Sequence, residues 1–171
     1  MAARRLGTGG GSERGAALVE FTIIVPFLIL VIFGMIDFGI AFADYQNVRS
    51  GTREAARLGV VNDVENAPPC TIDGTHVTPP AEPSTVIEAT NALVCKAKDR
   101  IGLDGDNAKV EIDITGAAIG DRLRVCASFP VQSLSGVTTQ FLSGKVLTSA
   151  VTMRLEQVPI FESYAEPGTE C

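Results

Sequence analysis

The strongest pattern along the chain is a long interruption in its polarity. From Phe21 to Ile36 sixteen consecutive residues, FTIIVPFLILVIFGMI, carry no charge. Extended to Ala16 and Ala43, the run is twenty-eight residues long and broken only by Glu20 and Asp37. As a helix rising about 1.5 Å per residue, the strict run spans roughly 24 Å and the extended run about 42 Å. A hydrocarbon core is about 30 Å thick. The two carboxylates, about 25 Å apart along such a helix, would fall near the two membrane interfaces, where a charge costs less than at the midplane. A single transmembrane helix over 16–43 is therefore predicted; a buried helix of a soluble domain is the simpler alternative. Pro26 removes one backbone hydrogen bond, which membrane helices tolerate better than soluble ones.

Helical spacing continues through 44–61, DYQNVRSGTREAARLGVV, with Val48, Ala55, Ala56 and Leu58 among polar residues, although Gly51 and Gly59 weaken it. Arg49, Arg53 and Arg57 form one stripe, either a solvated face or a contact with anionic headgroups or acidic neighbours. Five of the nine prolines then fall within Pro68–Pro83, which predicts an irregular loop. Thr85 and Glu88 have capping-box spacing. They open a helix to about Ile101, with Val86, Leu93, Val94, Ala97 and Ile101 on its apolar side. Period-two alternation marks three strands, at 109–115, 122–131 and 146–156. Val110, Ile112 and Ile114 alternate in the first, and Leu123, Val125, Ala127 and Phe129 in the second. In the third, Leu147, Val151, Met153 and Leu155 lie in phase, opposite Arg154 and Glu156. The fold class is α+β: a long hydrophobic helix, then a small head with one helix packed on an antiparallel sheet of about three or four strands, half solvated. The parts are 1–15, 16–43, 44–61 and 62–171.

Charge divides along the same lines. The chain of 171 residues carries a formal charge of -6, yet 46% of it is hydrophobic. Residues 1–15 sum to +2, residues 16–61 to -1 and residues 62–171 to -7. Beyond the short basic leader no segment offers the basic face a nucleic-acid binder needs. The arginines do not set orientation, because three precede the helix and three follow it.

All four cysteines, Cys70, Cys95, Cys126 and Cys171, lie beyond the apolar run. None has CxxC spacing and the single histidine is His76, so no metal site is expected. An even number of widely spaced cysteines beyond a membrane segment suggests two disulfides in an oxidising space; free thiols in a reducing compartment are the alternative. Three connectivities are possible. Cys70–Cys95 with Cys126–Cys171 is favoured because each bond would tie a loop or tail to a regular element. Disulfides would place the head outside the cytoplasm and the N-terminus inside.

Chemistry concentrates where leader meets helix, in SERGAALVEFTIIVPF. Gly15 lacks a Cβ, so a protease can approach its carbonyl closely. Cleavage after it would leave a charged amine on Ala16 beside an apolar helix, costly to bury alone. Glu20 lies four residues on, about one turn down the same face, and can pair with that amine or with a neighbour's. Its simpler role is an acid at a helix N-terminus.

This boundary resembles the type IV prepilin cleavage site in the G-xxxx-E-[YF] version of the tight-adherence (Tad) system. The longer stretch from Gly15 to Val61 is similar to the TadE-like family: the VEF core, Pro26, the late acid Asp37 and the segment TREAARLG. The stretch LTSAVTMRLE, Leu147 to Glu156, resembles that family's closing strand. The resemblance implies a pilin-like pseudopilin, or minor pilin, that assists assembly of the Tad/Flp pilus. It would be cut between Gly15 and Ala16 by a prepilin peptidase, with Glu20 pairing to an N-terminal amine during assembly. Implied partners are that peptidase, other pilins and pseudopilins, the inner-membrane Tad assembly platform and membrane lipid. The protein would be single-pass in the bacterial cytoplasmic membrane; TadE-type and TadF-type remain undistinguished.

Two other readings stand beside it. A cleaved secretory signal would use Arg4 and Arg5 as its basic region and Ala41-Phe42-Ala43 as its cleavage site. The apolar run exceeds the usual 7–15 residues, and two acids interrupt its extension. A signal-anchored extracytoplasmic binding domain unrelated to pili is the other. No enzymatic activity and no cofactor are expected, since no nucleophile motif is visible and His76 sits in a Thr/Pro-rich loop. Asp104-Gly105-Asp106-Asn107 has Lys109 where an EF-hand loop needs glycine, so a turn is expected there rather than a calcium site.

Overall fold

The computed structural model describes residues 12–102, 105–131, 133, 136, 139–142, 144–169 and 171. The apolar run and the segment after it form one helix, α1, Ser12–Val60, with Pro26 inside it. Leader residues Arg4 and Arg5 lie outside the described residues.

The expected loop after α1 contains a short hairpin. β1 (Cys70–Ile72) pairs antiparallel with β2 (Thr75–Val77), with Cys70 opposite Val77. The turn places Asp73 and Gly74 at φ 50° and 75°, a left-handed pair suited to a two-residue connection. Proline-rich flanks hid it, because strands of three residues carry almost no periodic signal.

α2, Val86–Ile101, starts on a complete capping box: the Thr85 hydroxyl accepts from the Glu88 amide, and the Glu88 carboxylate accepts from the Thr85 amide. Leu93, Val94, Ala97 and Ile101 are buried, whereas Val86 in the first turn is exposed. After a 3-10 turn at Gly105–Asn107 come β3 (Lys109–Ile114), β4 (Arg122–Pro130), a short helix α3 (Thr139–Leu142), β5 (Val146–Arg154) and β6 (Tyr164–Ala165). The last four strands form an antiparallel sheet in the order β5-β4-β3-β6.

The second half of α1 and α2 pack together on one face of this sheet. Ala55, Ala56 and Leu58 of α1 and Leu93 and Val94 of α2 share a core with Val110, Ile112, Leu123 and Val125. The three strands read from alternation present these inward residues as expected. The opposite face is less solvated than expected: Cys126 and Ser128 point away from the helices, yet each is only 2% exposed. Residues after β5 wrap back over the head, inserting Phe161 into the core and bonding Cys171 to Cys126. The other disulfide joins β1 to α2 through Cys70 and Cys95, Cα atoms 5.2 Å apart.

One buried ion pair anchors this wrap. Lys98 on α2 and Glu166 are each 3% exposed at the side chain and lie 2.8 Å apart. Lys98 also donates to the Thr71 carbonyl at 2.6 Å. The other oxygen of Glu166 accepts from the Val110 amide at 2.8 Å. Each charge is thus paired and further hydrogen-bonded, which a buried ion pair needs. The Tyr164 phenol donates to Asp73, and burial with that neighbouring carboxylate pushes its pKa up.

Candidate functional site: the uncovered half of the long helix

Among the described residues, none packs against α1 from Gly15 to Ile36. Leu18, Phe21, Ile23, Ile24, Phe27 and Met35 are all at least 60% exposed. None of its most apolar eighteen-residue window is buried against the protein. Twenty-one residues, 16–36, give about 31 Å of apolar helix, close to a hydrocarbon core. Soluble domains rarely leave an apolar surface of this extent uncovered; such surfaces mark contact with a partner, lipid or protein.

Gly15 sits in the first turns of this helix, and among the described residues nothing beyond its own helix stands within 4 Å of where a Cβ would be. Ala16 and Glu20 are exposed on consecutive turns. Their separation of four residues along continuous helix puts both on one face, about 6 Å apart in rise. Pro26 deprives the Thr22 carbonyl of its usual helical donor. The Thr22 hydroxyl in turn donates to the Leu18 carbonyl at 2.7 Å, so its own hydrogen is satisfied within the helix.

Asp37 stands at the end of this bare span, and it is 0% exposed. Ser133, ninety-six residues further along, donates its hydroxyl to the Asp37 carboxylate at 2.9 Å. Ser133, three residues after β4, is thereby joined to α1 at this carboxylate. The apolar span ends because the head begins there. Ser133 had no signal in the sequence, since a serine in a Ser/Gly-rich connection reads as solvent-exposed loop.

Beyond Asp37, α1 keeps one exposed apolar stripe. Phe38 is 73%, Phe42 56% and Tyr45 38% exposed. Spacings of four and three place them on one side of the helix. Arg49, Arg53 and Arg57 continue along the exposed surface. Arg57 pairs with Glu54 at 2.7 Å, which holds the Glu54 pKa below its usual value.

The remaining candidates resolve as structural. Asp106 accepts the Thr71 amide at 2.9 Å, a turn role consistent with the 3-10 geometry; Asp104 lies outside the described residues. His76 is exposed on β2. Among the described residues no group of three His, Cys, Asp or Glu side chains could hold a metal ion.

Comparison with known proteins agrees with the sequence resemblance. The family model described as TadE-like protein matches residues 15–57, from Gly15 through the uncovered half of α1 to Arg57. No curated protein and no solved structure matches the chain.

Proposed function

We propose that the protein is a TadE-like pseudopilin: a membrane-anchored subunit that assists assembly of a Tad/Flp pilus. The observation that carries this reading is the uncovered apolar helix, opened by Gly15, Ala16 and Glu20 and covered by the TadE-like match.

A prepilin peptidase cuts the Gly15–Ala16 peptide. That peptide lies near the start of α1, where helices fray, so unwinding it toward an extended form costs little. The new Ala16 amine then pairs with Glu20 of its own chain or of a neighbour, removing the penalty of an isolated charge beside an apolar helix. Helix association follows the exposed seam. Phe21, Ile24, Leu28, Val31, Met35, Phe38, Phe42 and Tyr45 alternate steps of three and four, the spacing with which two helices interlock. Only the later part of this seam, from Phe38 on, lies beyond the buried Asp37, where lipid tails no longer cover it. The N-terminus is cytoplasmic and the disulfide-bonded head extracytoplasmic, so its partners are the peptidase, other pilins and pseudopilins, and the inner-membrane assembly platform.

A helix exchange tests the reading. Residues 16–36 are replaced by an unrelated apolar span that still anchors the head. A pseudopilin loses its support of pilus formation even though the head remains displayed at wild-type level. An anchored binding domain unrelated to pili keeps its function, and that outcome would overturn the proposal.

A further inference from the structure

The two edges of the four-stranded sheet are treated differently. Along β3 the outward groups are occupied. The Val110 amide donates to Glu166 at 2.8 Å, the Val110 carbonyl accepts the Glu166 amide at 3.2 Å, and the Ile114 amide donates to the Ser163 hydroxyl at 3.0 Å. Between them, Glu111 and Ile112 pair with Ala165 and Tyr164. The opposite edge is β5, nine residues long, paired with β4 on one side and, among the described residues, with no strand on the other.

Its free groups can be assigned. At one end the Val131 amide donates to the Lys145 carbonyl at 2.9 Å; at the other the Leu155 amide donates to the Asp121 carbonyl at 2.8 Å. Both bonds turn odd-numbered residues of this segment toward β4. By strand alternation, Thr148, Ala150, Thr152 and Arg154 turn their amides and carbonyls outward. All four are exposed. Pairing with β4 runs without a break from Arg122↔Arg154 to Pro130↔Val146, so no bulge blunts the edge. No proline or charge interrupts Val146 to Met153 either, although natural edges are usually protected by such devices.

The edge also has a sign. Arg154 lies directly opposite Arg122, a like-charged cross-strand pair that is unfavourable by itself. Neither arginine takes part in the three ion pairs found among the described residues. Lys145 stands exposed just before the strand's other end.

We infer that β5 is a docking edge for an extended, acidic segment of another polypeptide, which adds as a fifth strand and sets a carboxylate beside the Arg122–Arg154 pair. Backbone hydrogen bonds supply the pairing and the arginines select its charge. A second copy's β5 is not the occupant. Antiparallel self-pairing would bring Arg154 of each copy toward Lys145 of the other. It would also oppose two strands that both run outward along α1, from the level of Asp37 to that of Val60. Only this last point rests on the membrane reading above.

The test uses the full chain in lipid nanodiscs, with amide hydrogen exchange read residue by residue. The probes are two synthetic ten-residue peptides of alternating Thr and Val, one ending in glutamates and one in lysines. In the free protein, the amides of Thr148, Ala150, Thr152 and Arg154 should exchange at least about a hundredfold faster than those of Leu147, Ser149, Val151 and Met153. The glutamate peptide should slow those four amides and bind about tenfold more tightly than the lysine peptide. Arg154→Gln should weaken this preference and Arg154→Glu, which sets a carboxylate opposite Arg122, should abolish it, while protection of the odd-numbered amides shows that each variant is folded. The inference is overturned if the four amides are already as slow as their neighbours. It is equally overturned if the glutamate peptide leaves them unchanged, or if both peptides bind alike.

Discussion

The two halves of α1 are built from the same kind of residue and used in opposite ways. Between Gly15 and Ile36 the apolar side chains face outward on every side, and among the described residues nothing beyond its own helix lies within 4 Å of a would-be Cβ on Gly34. Between Val48 and Val60 the apolar side chains are buried, and the glycines are contact points. A Cβ on Gly51 would stand 2.7 Å from Ile101 Cγ1 and 2.8 Å from the Ile101 backbone nitrogen; one on Gly59 would stand 2.7 Å from Leu123 Cδ2. Glycines at Gly51 and Gly59 lower helix propensity by up to about 1 kcal/mol each. At Gly51 the backbone of α2 approaches too closely for any side chain, whereas at Gly59 the nearest atoms are the flexible ends of Leu123 and Leu93. In the first half the same residue has no neighbour beyond its own helix among the described residues. Glycine and apolar content therefore say little about a helix until what lies against it is known.

The largest break in this contrast comes from removing what holds the covered half's head together. Lys98→Met leaves Glu166 buried and uncompensated, and should cost about 3–5 kcal/mol, read by chemical denaturation of the full chain in micelles. Adding Glu166→Gln should recover much of that loss, because the stranded charge is gone. Next in size are the glycines. Gly51→Ala should cost about 1–3 kcal/mol, since rigid backbone and not only a flexible side chain blocks the new methyl. Gly34→Ala should leave head stability unchanged within about 0.5 kcal/mol. Equal effects at the two positions would erase the distinction between the halves.

Asp37 marks the boundary, so its removal sharpens the comparison. Asp37→Ala should cost about 1–3 kcal/mol by leaving buried polar partners such as Ser133 unsatisfied. It should also speed amide exchange in the connection after β4, with no effect on the sheet core. The smallest effect is electrostatic. Hydrogen bonds from Ser84, first its amide and then its hydroxyl, hold the Glu88 pKa below its usual 4.5, with the Thr85 amide assisting. A lowered folded-state value means this stabilisation is present above about pH 4.5 and is lost as pH falls through the folded value. Exchange at the start of α2 should accelerate on acidification, and Glu88→Gln should flatten that response.

Much of this architecture was legible in the residues. β3, β4 and β5 follow from strict alternation, and the start of α2 follows from Thr85 and Glu88. The apolar run announces its own length. What stayed hidden depends on contacts distant in sequence. Lys98 reads as a polar helix position, and only the return of the chain to Glu166, sixty-eight residues on, buries it. Asp37 reads as an interfacial acid until Ser133 is folded over it. β6 is two residues long and exists because β3 offers an edge, a cause no local pattern can carry.

On the proposed function, the uncovered half of α1 is a processed assembly segment and the covered half belongs to an exported head. N-terminal sequencing of the mature protein from its native membrane tests this most directly. A processed pseudopilin yields a chain beginning at Ala16, with Gly15 and everything before it removed. A chain beginning at Asp44, with the whole uncovered half lost, would contradict it, and so would one retaining Met1.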